Sequence, residues 1–555
     1  MGSRNTRSSQ ENTIETSSNQ MDHSSDEEPD LARVLSHLLR TGQVQLIRTN
    51  SGDGGRIHIV HGFQDSDVDD SDDDDDDGLL WHTDLLSSRQ RQPPPEVTPD
   101  TSKLKESHIM QQIHLSSGES LKKTNVASKL KMRETGIRHI RQQPNFSPGD
   151  CAMVSSEYLP NTMTVKAKYR QKAFCGTYSR DGTVFLSACQ DEVIRLYDTT
   201  KGQFKKFHSI QARDIGWSII DTAFSPDQQY FIYSSWSDYV HLCNIYGDYN
   251  THVALDLRPE VSRFCAFSIT FSHDNTEILA GGNDACLYIY DRGSEQRTLR
   301  IEGHEDDLGS VRFADPGSQI FYSAGDDGLC KVWDRRTLNE TNPCPVGVLS
   351  GHADGITCIA SKGDGRHLIT NSKDQTIKLW DIRKFSDNDG IVATKRAVAS
   401  QRWDYRWQKA PRKSLKPRTL AGDVSLMTYR GHSVLNTLIR CYFSPDHTTG
   451  QRYIYTGCST GSVVIYDILT GEVKARLTGH NSCVRDVSWH PYENKIVSSS
   501  WDGMVGLWQY ECSDDPVDIE LPPDSPETPP NLPQPPKRRS RRLQVVRRSA
   551  GNDSQ

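Results

Sequence analysis

Seven times between about residues 165 and 510, the chain closes an apolar run with a dipeptide of one kind. These are Tyr197-Asp198, Asn244-Ile245, Tyr290-Asp291, Trp333-Asp334, Trp380-Asp381, Tyr466-Asp467 and Trp508-Gln509. Successive pairs lie about 42–47 residues apart, with one gap of roughly twice that between Asp381 and Asp467. Gly-His precedes four of them, at Gly303-His304, Gly351-His352, Gly431-His432 and Gly479-His480. Within a period, short apolar runs are split by turn residues. His367-Leu368-Ile369-Thr370, Lys373-Asp374-Gln375-Thr376 and Ile377-Lys378-Leu379-Trp380 read as strand, tight turn, strand. Four such strands make a sheet that cannot bury both faces alone, whereas a ring of such sheets can.

A period of 40–45 residues with Gly-His and Trp-Asp resembles the WD repeat. The resemblance covers residues 160–510. It implies an all-β fold, a seven-bladed WD-repeat β-propeller. In that family a His, a Ser or Thr, an Asp and a Trp of one blade form a hydrogen-bonded chain. Here the four map onto His304, Ser323, Asp327 and Trp333 in the fourth blade. They map onto His352, Thr370, Asp374 and Trp380 in the fifth, and onto His480, Ser498, Asp502 and Trp508 in the seventh. The residue types make sense, because a buried carboxylate needs donors and imidazole and hydroxyl groups supply them. The second, third and sixth blades depart from the pattern; Thr460 stands where the sixth should have Asp. The last strand ends near Tyr510, before a Pro-rich stretch, so the seventh blade lacks an outer strand. The stretch Met163-Thr164-Val165-Lys166-Ala167 is expected to supply it and close the ring.

The long gap holds ten Lys or Arg against four Asp over 385–430 and no further Gly-His and Trp-Asp series. It reads as a basic insertion ahead of an outer strand, on the face opposite the Gly-His loops. Outside the repeats the composition changes. Residues 1–150 are polar, with ten aspartates in 65–77, and residues 511–555 are Pro-rich and then basic. Both read as disordered tails, since few apolar groups are available to offset chain entropy. A net charge of −8, 34% hydrophobic residues and a mean hydropathy of −0.67 agree with a folded centre between polar ends. No signal-peptide pattern or long apolar run is present, so an intracellular protein with no membrane contact is expected. The 13 cysteines include no C-x-x-C pair and read mostly as buried reduced thiols.

Catalytic signals are weak. Gly457-Cys458-Ser459-Thr460-Gly461 fits a nucleophile-elbow pattern but lies between two strands, where Gly and Ser simply turn the chain. His58 and His61 have no third ligand. A non-enzyme with no catalytic site, cofactor or metal is expected.

Two motifs point to partners. Trp333-Asp334-Arg335-Arg336 and Trp380-Asp381-Ile382-Arg383 both read W-D-x-R on consecutive blades. They resemble the double W-D-x-R of the WD-repeat substrate receptors of type-four cullin-RING ubiquitin ligases. That resemblance implies that Arg336 and Arg383 contact the damaged-DNA-binding-protein adaptor, which joins the receptor to the cullin and its RING subunit. In the N-terminal segment, Leu31, Val34, Leu35 and Leu38 mark the apolar stripe of a short helix near 31–41, which the same resemblance assigns to the adaptor. Packing on the propeller itself is the alternative. Target proteins bound for degradation would then use the face with the Gly-His loops, where Asp326, Lys373 and Trp501 precede the turn aspartates. A plain scaffold in a nuclear chromatin or RNA-processing complex is the competing reading. Lys537-Arg538-Arg539-Ser540-Arg541-Arg542 suggests nuclear as well as cytoplasmic residence. No aromatics interleave with it, so direct nucleic-acid binding is not expected. Ser66 and Ser71, each before an aspartate, are candidate phosphorylation sites.

Overall fold

Each period of the repeat folds into a four-stranded antiparallel sheet, and the described residues contain seven of them. The computed structural model describes residues 98–119, 126–136 and 146–512, together with the backbone of two strands, β1 (Gln45–Thr49) and β2 (Arg56–Val60). The chain divides into two units at residue 87. In the first, β1 and β2 pair as an antiparallel hairpin.

In the second unit, blades 1 to 6 span residues 173–211, 221–256, 266–302, 310–349, 356–429 and 441–478. Blade 7 takes three strands from 484–509, and Thr162–Lys168 pairs antiparallel with the last of them, Met163 opposite Trp508. The first and last parts of the domain thus share one sheet, which fastens the ring without an open edge. The cores lie between blades and are apolar, with Trp333, Trp380 and Trp508 among the largest fully buried side chains.

Polar groups tie blades together across the axis. The Asp486 carboxylate accepts from the Gly176 N–H of blade 1, and Asp221 accepts from Ile269 of blade 3. Arg440 bridges both carboxylates, at 2.7 Å to Asp221 and 3.1 Å to Asp486. This buried guanidinium is tolerated because it has two counter-charges and a carbonyl, that of Ile220.

The structure revises two expectations. The segment 1–150 is not wholly an unstructured tail. Within it lie α1 (Ser102–Lys105), α2 (His108–Ser116), α3 (Val126–Thr135) and the start of α4 (Pro148–Glu157). Leu104, Ile109 and Ile113 are fully buried in one cluster with Leu426, Met427 and Tyr429 of blade 5 and Ile468 of blade 6. The Lys103 ammonium donates to the Asp423 carbonyl and the Ser116 hydroxyl to that of Gly450. Helix α4 begins with a reciprocal cap between Ser147 and Asp150, followed by Pro148. Three buried apolar residues and the partly buried Met110 over ten positions do not form a helical stripe that stands out by periodicity, yet they suffice to seat a short strap on a preformed groove.

The second revision concerns the insertion. It leaves Asp381 on the expected face but does not stay there. Ser386 pairs with Val348 on the outer strand of blade 4, and α5 (Asn388–Ala399) reaches the opposite rim. There Thr394 and Val398 sit over Gly328, a turn residue at φ +74° where a Cβ would strike Val398 at 2.7 Å. The chain then crosses the face of the Gly-His loops before returning to the outer strand Met427–Tyr429. The bare glycine turn of blade 4 provides the seat that a sequence reading could not see.

Candidate functional site

Antiparallel register sorts the residues singled out in the sequence onto two faces. In blade 4, Ile320 opposes Asp334, whereas Ala324 opposes Cys330 beside the turn. Strand ends such as Asp334 and Asp381 therefore lie on one face, and the turn residues 326 and 373 on the other.

Three tetrads, each running from a Gly-His loop and turn aspartate to a tryptophan beside the strand end, stiffen blades 4, 5 and 7. Trp333 Nε1–H donates to Ser323 Oγ at 2.8 Å, Ser323 bonds His304 Nε2 at 2.7 Å, and His304 Nδ1 meets Asp327 at 2.9 Å. All donors run the same way if Nδ1 carries the proton. Burial, which outweighs the pull of Asp327, holds the His304 imidazole below its ordinary pKa and therefore neutral. The same chain runs through Trp380, Thr370, His352 and Asp374, with spacings of 2.7, 2.7 and 2.9 Å. It runs again through Trp508, Ser498, His480 and Asp502, at 2.8, 2.7 and 3.0 Å. Blade 6 differs: His432 meets the Tyr466 hydroxyl and Asn371, and burial drives its pKa down to about 3.

Just beyond two of these tryptophans stand the paired arginines. Arg336 folds a fork onto Asp334, at 2.9 and 2.7 Å, and its side chain remains 67% exposed. The side-chain and backbone hydrogen bonds of Arg336 hold the Asp334 carboxyl down at about 2. In blade 5 the equivalent Asp381 is already taken by the fork of Arg366, at 3.0 and 2.6 Å. Arg383 gives Asp381 only its backbone N–H, so its guanidinium is exposed with no hydrogen-bond partner among the described residues. Arg335 turns aside to Glu277 of blade 3, at 2.7 Å. The face thus presents Arg336 and Arg383 from consecutive blades. The residues Leu31, Val34, Leu35 and Leu38 lie outside the described residues, as do Ser66, Ser71 and the basic run 537–542.

On the second face the three residues singled out in the sequence do not form an open surface. Asp326 and Lys373 pair with each other at 2.6 Å, and the Tyr405 ring of the insertion covers the ammonium at 4.4 Å. Trp501 is half-buried against Phe174, ring centroids 5.7 Å apart, with Lys172 stacked on it at 4.0 Å. An indole in a turn found a seat between blades, because the inner strand of blade 1 offers an apolar flank. Exposed aromatics of this face include Trp217, Trp236, Tyr239 and Trp407. Trp236, in the turn Ser235-Trp236-Ser237-Asp238, carries the same sequence signal that drew attention to Trp501. No group of three or more potential metal ligands occurs among the described residues.

Comparison with known proteins agrees with this architecture. Residues 293–334, 343–381 and 471–509 match the family model described as WD domain, G-beta repeat. These are the three repeats whose tetrads are complete. The DDB1- and CUL4-associated factor 11 homolog of Caenorhabditis elegans is 44% identical over 379 residues, which is 66% of each chain. Its namesake in Caenorhabditis briggsae is 42% identical over 385 residues, 67% of this chain and 69% of that one. The chain belongs to the DDB1- and CUL4-associated factor 11 family. The LEC14B protein of Lithospermum erythrorhizon, 41% identical over 415 residues, is matched over 86% of its length.

Proposed function

We propose that the chain is the substrate receptor of a cullin-RING ubiquitin ligase, docking through Arg336 and Arg383 on DDB1 and, through it, on CUL4 and its RING subunit. One observation carries this reading: two arginines on neighbouring blades project from one face, beside stiff tetrads, with at least one guanidinium left free of intramolecular pairing. A planar, permanently charged fork held in place is suited to an interface hot spot. The printed names of the relatives point to the same two partners. The receptor itself is a non-catalytic subunit. Its contribution is proximity, holding a target protein beside the ubiquitin-loaded enzyme and raising the local concentration. Target proteins would use the opposite face, and the basic run 537–542 supports residence in the nucleus as well as the cytoplasm.

The test is co-purification of DDB1 and CUL4 with the chain carrying Arg336→Ala and Arg383→Ala. Two hot-spot losses of about 2 kcal/mol each weaken binding several-hundred-fold or more. The fold should survive, because the Arg336–Asp334 pair is on the surface and neither arginine enters a tetrad. Undiminished recovery of both partners refutes docking through these residues.

A further inference from the structure

A cavity of about 600 Å³ opens at the axis on the face of the Gly-His loops, and its two sides differ in chemistry. Phe174, Trp217, Trp236 and Phe267, from blades 1 to 3, form an aromatic wall. The rings brace one another edge to face: Phe174 and Trp217 at 5.2 Å, Trp236 and Phe267 at 6.1 Å. Asp307, Asp326 and Asp354, around blades 4 and 5, form a carboxylate wall. The insertion adds Trp403 and Tyr405.

The charges in this cavity do not balance. Lys373 is committed to Asp326, and Arg406 forks onto its own neighbour Asp404 at 2.8 Å. Arg485 lies buried beneath, bonded to the carbonyls of Phe174 and Ile220. Four carboxylates (Asp307, Asp326, Asp354, Asp404) therefore face three cations (Lys373, Arg406, Arg485), and neither Asp307 nor Asp354 has a cation bonded to it among the described residues. Burial first, and then the field of neighbouring aspartates, pushes both of these carboxyls up to about 6. In addition, the Trp403 indole N–H is buried with no acceptor among the described residues. An aromatic wall opposite uncompensated carboxylates is suited to a cation with an apolar stem, which can stack on one wall and pair with the other. A nearby unsatisfied donor is suited to a peptide carbonyl.

We infer that this axial cavity binds a basic side chain, lysine or arginine, presented by an extended segment of another protein. Trp236 and Trp217 flank the stem, and Asp307 and Asp354 take the charge. Trp407, 84% exposed on the insertion, offers the segment an apolar contact outside the mouth. Only the identification of that segment as part of a ligase target rests on the receptor reading; the cation site itself does not.

The experiment uses the full chain alone, without adaptor. Two short acetylated and amidated peptides are titrated by calorimetry: Gly-Arg-Gly and its citrulline counterpart, which keeps the shape and removes the charge. Saturable binding of the arginine peptide, at least about tenfold tighter than citrulline, is expected. Asp307→Asn with Asp354→Asn should weaken it by about tenfold or more, and Trp236→Ala should weaken it as well. Equal binding of both peptides, no saturation, or full affinity in the Asp307/Asp354 variant overturns the inference. The peptide comparison needs no variant, so a misfolded mutant does not rescue it. The Arg336/Arg383 variant should bind the peptide normally. Adaptor retained by that variant, with peptide binding intact, would sink the receptor reading alone; adaptor lost by that variant, with no charge-selective peptide binding in the parent chain, would sink this one alone.

Discussion

Replacing Thr370 by valine removes one oxygen from the centre of the blade 5 tetrad and keeps the shape. Thr370 is fully buried, and its hydroxyl serves two partners, accepting from Trp380 Nε1 and bonding His352 Nε2, both at 2.7 Å. Valine leaves an indole donor and an imidazole nitrogen buried and unpaired. Each orphaned group costs about 1–3 kcal/mol, so a loss of roughly 2–6 kcal/mol is expected. That is a large part of the stability of an ordinary domain. Urea unfolding measures it as a lower midpoint at constant slope. Ser234→Ala in blade 2 is the matched control, because that hydroxyl is buried but has no partner, and its removal should change little. A loss below about 0.5 kcal/mol for Thr370→Val, or the same loss in both variants, would refute the claim that the tetrad, rather than buried polarity in general, stabilises the blade.

Truncation should be graded. A chain starting at residue 98 should keep the unfolding midpoint of the parent propeller. Starting after residue 119 exposes the groove filled by Leu104, Ile109 and Ile113, each worth roughly 1.5–3 kcal/mol, and starting after 168 also removes the closing strand and should prevent stable folding. Equal midpoints for all three would show that neither strap nor closing strand matters. Acid should also act through His432. Its folded pKa, about 3, lies below the unfolded value of about 6.5, so the unfolded chain binds the extra proton. The stability from its neutral form is complete above about pH 6.5 and lost as the pH falls below it. Asp307 and Asp354, raised to about 6, pull the other way, so the readout is the change in pH slope on His432→Gln. A slope between pH 5 and 7 as steep in the variant as in the parent would contradict this assignment.

What could be read from the sequence was whatever repeats or touches its neighbours. The three tetrads and the arginines after Trp333 and Trp380 follow from the pattern within one repeat, and the strand Thr162–Lys168 beside Met504–Gln509 from the count of strands, which left the seventh blade one short. What could not be read depends on surfaces that exist only once the ring has closed. The Leu104, Ile109 and Ile113 strap needs the junction of blades 5 and 6, and the insertion needs the exposed turn at Gly328. Trp501 shows the same limit from the other side. Its turn looked exposed, and whether an indole there faces solvent depends on Phe174, more than 300 residues earlier in the chain. Trp217, Trp236 and Trp403 went unremarked in the sequence, because their convergence on one cavity depends on the closed ring.

The irregular blades gain meaning from this division. Blades 4 and 5 keep full tetrads, and their tryptophans stand three residues before the arginines proposed to meet the adaptor. An interface group on a stiff strand end loses less freedom on binding, so the tetrads that stabilise the ring also preorganise that face. Blade 2 has given up the tetrad. Tyr233 stands eleven residues before the strand end Asn244, as Ser323 stands before Asp334, where Ser or Thr would be expected, and its hydroxyl reaches His252 instead. Blades 2 and 3 supply Trp236 and Phe267 to the axial cavity. Blades 2 and 3, which depart from the repeat pattern, thus contribute to the aromatic wall of the pocket, and blades 4 and 5, which keep it, carry the paired arginines. One rigid body with these two specialised regions on opposite faces can keep an adaptor and a target at a fixed separation, which is the geometric requirement for transfer by proximity.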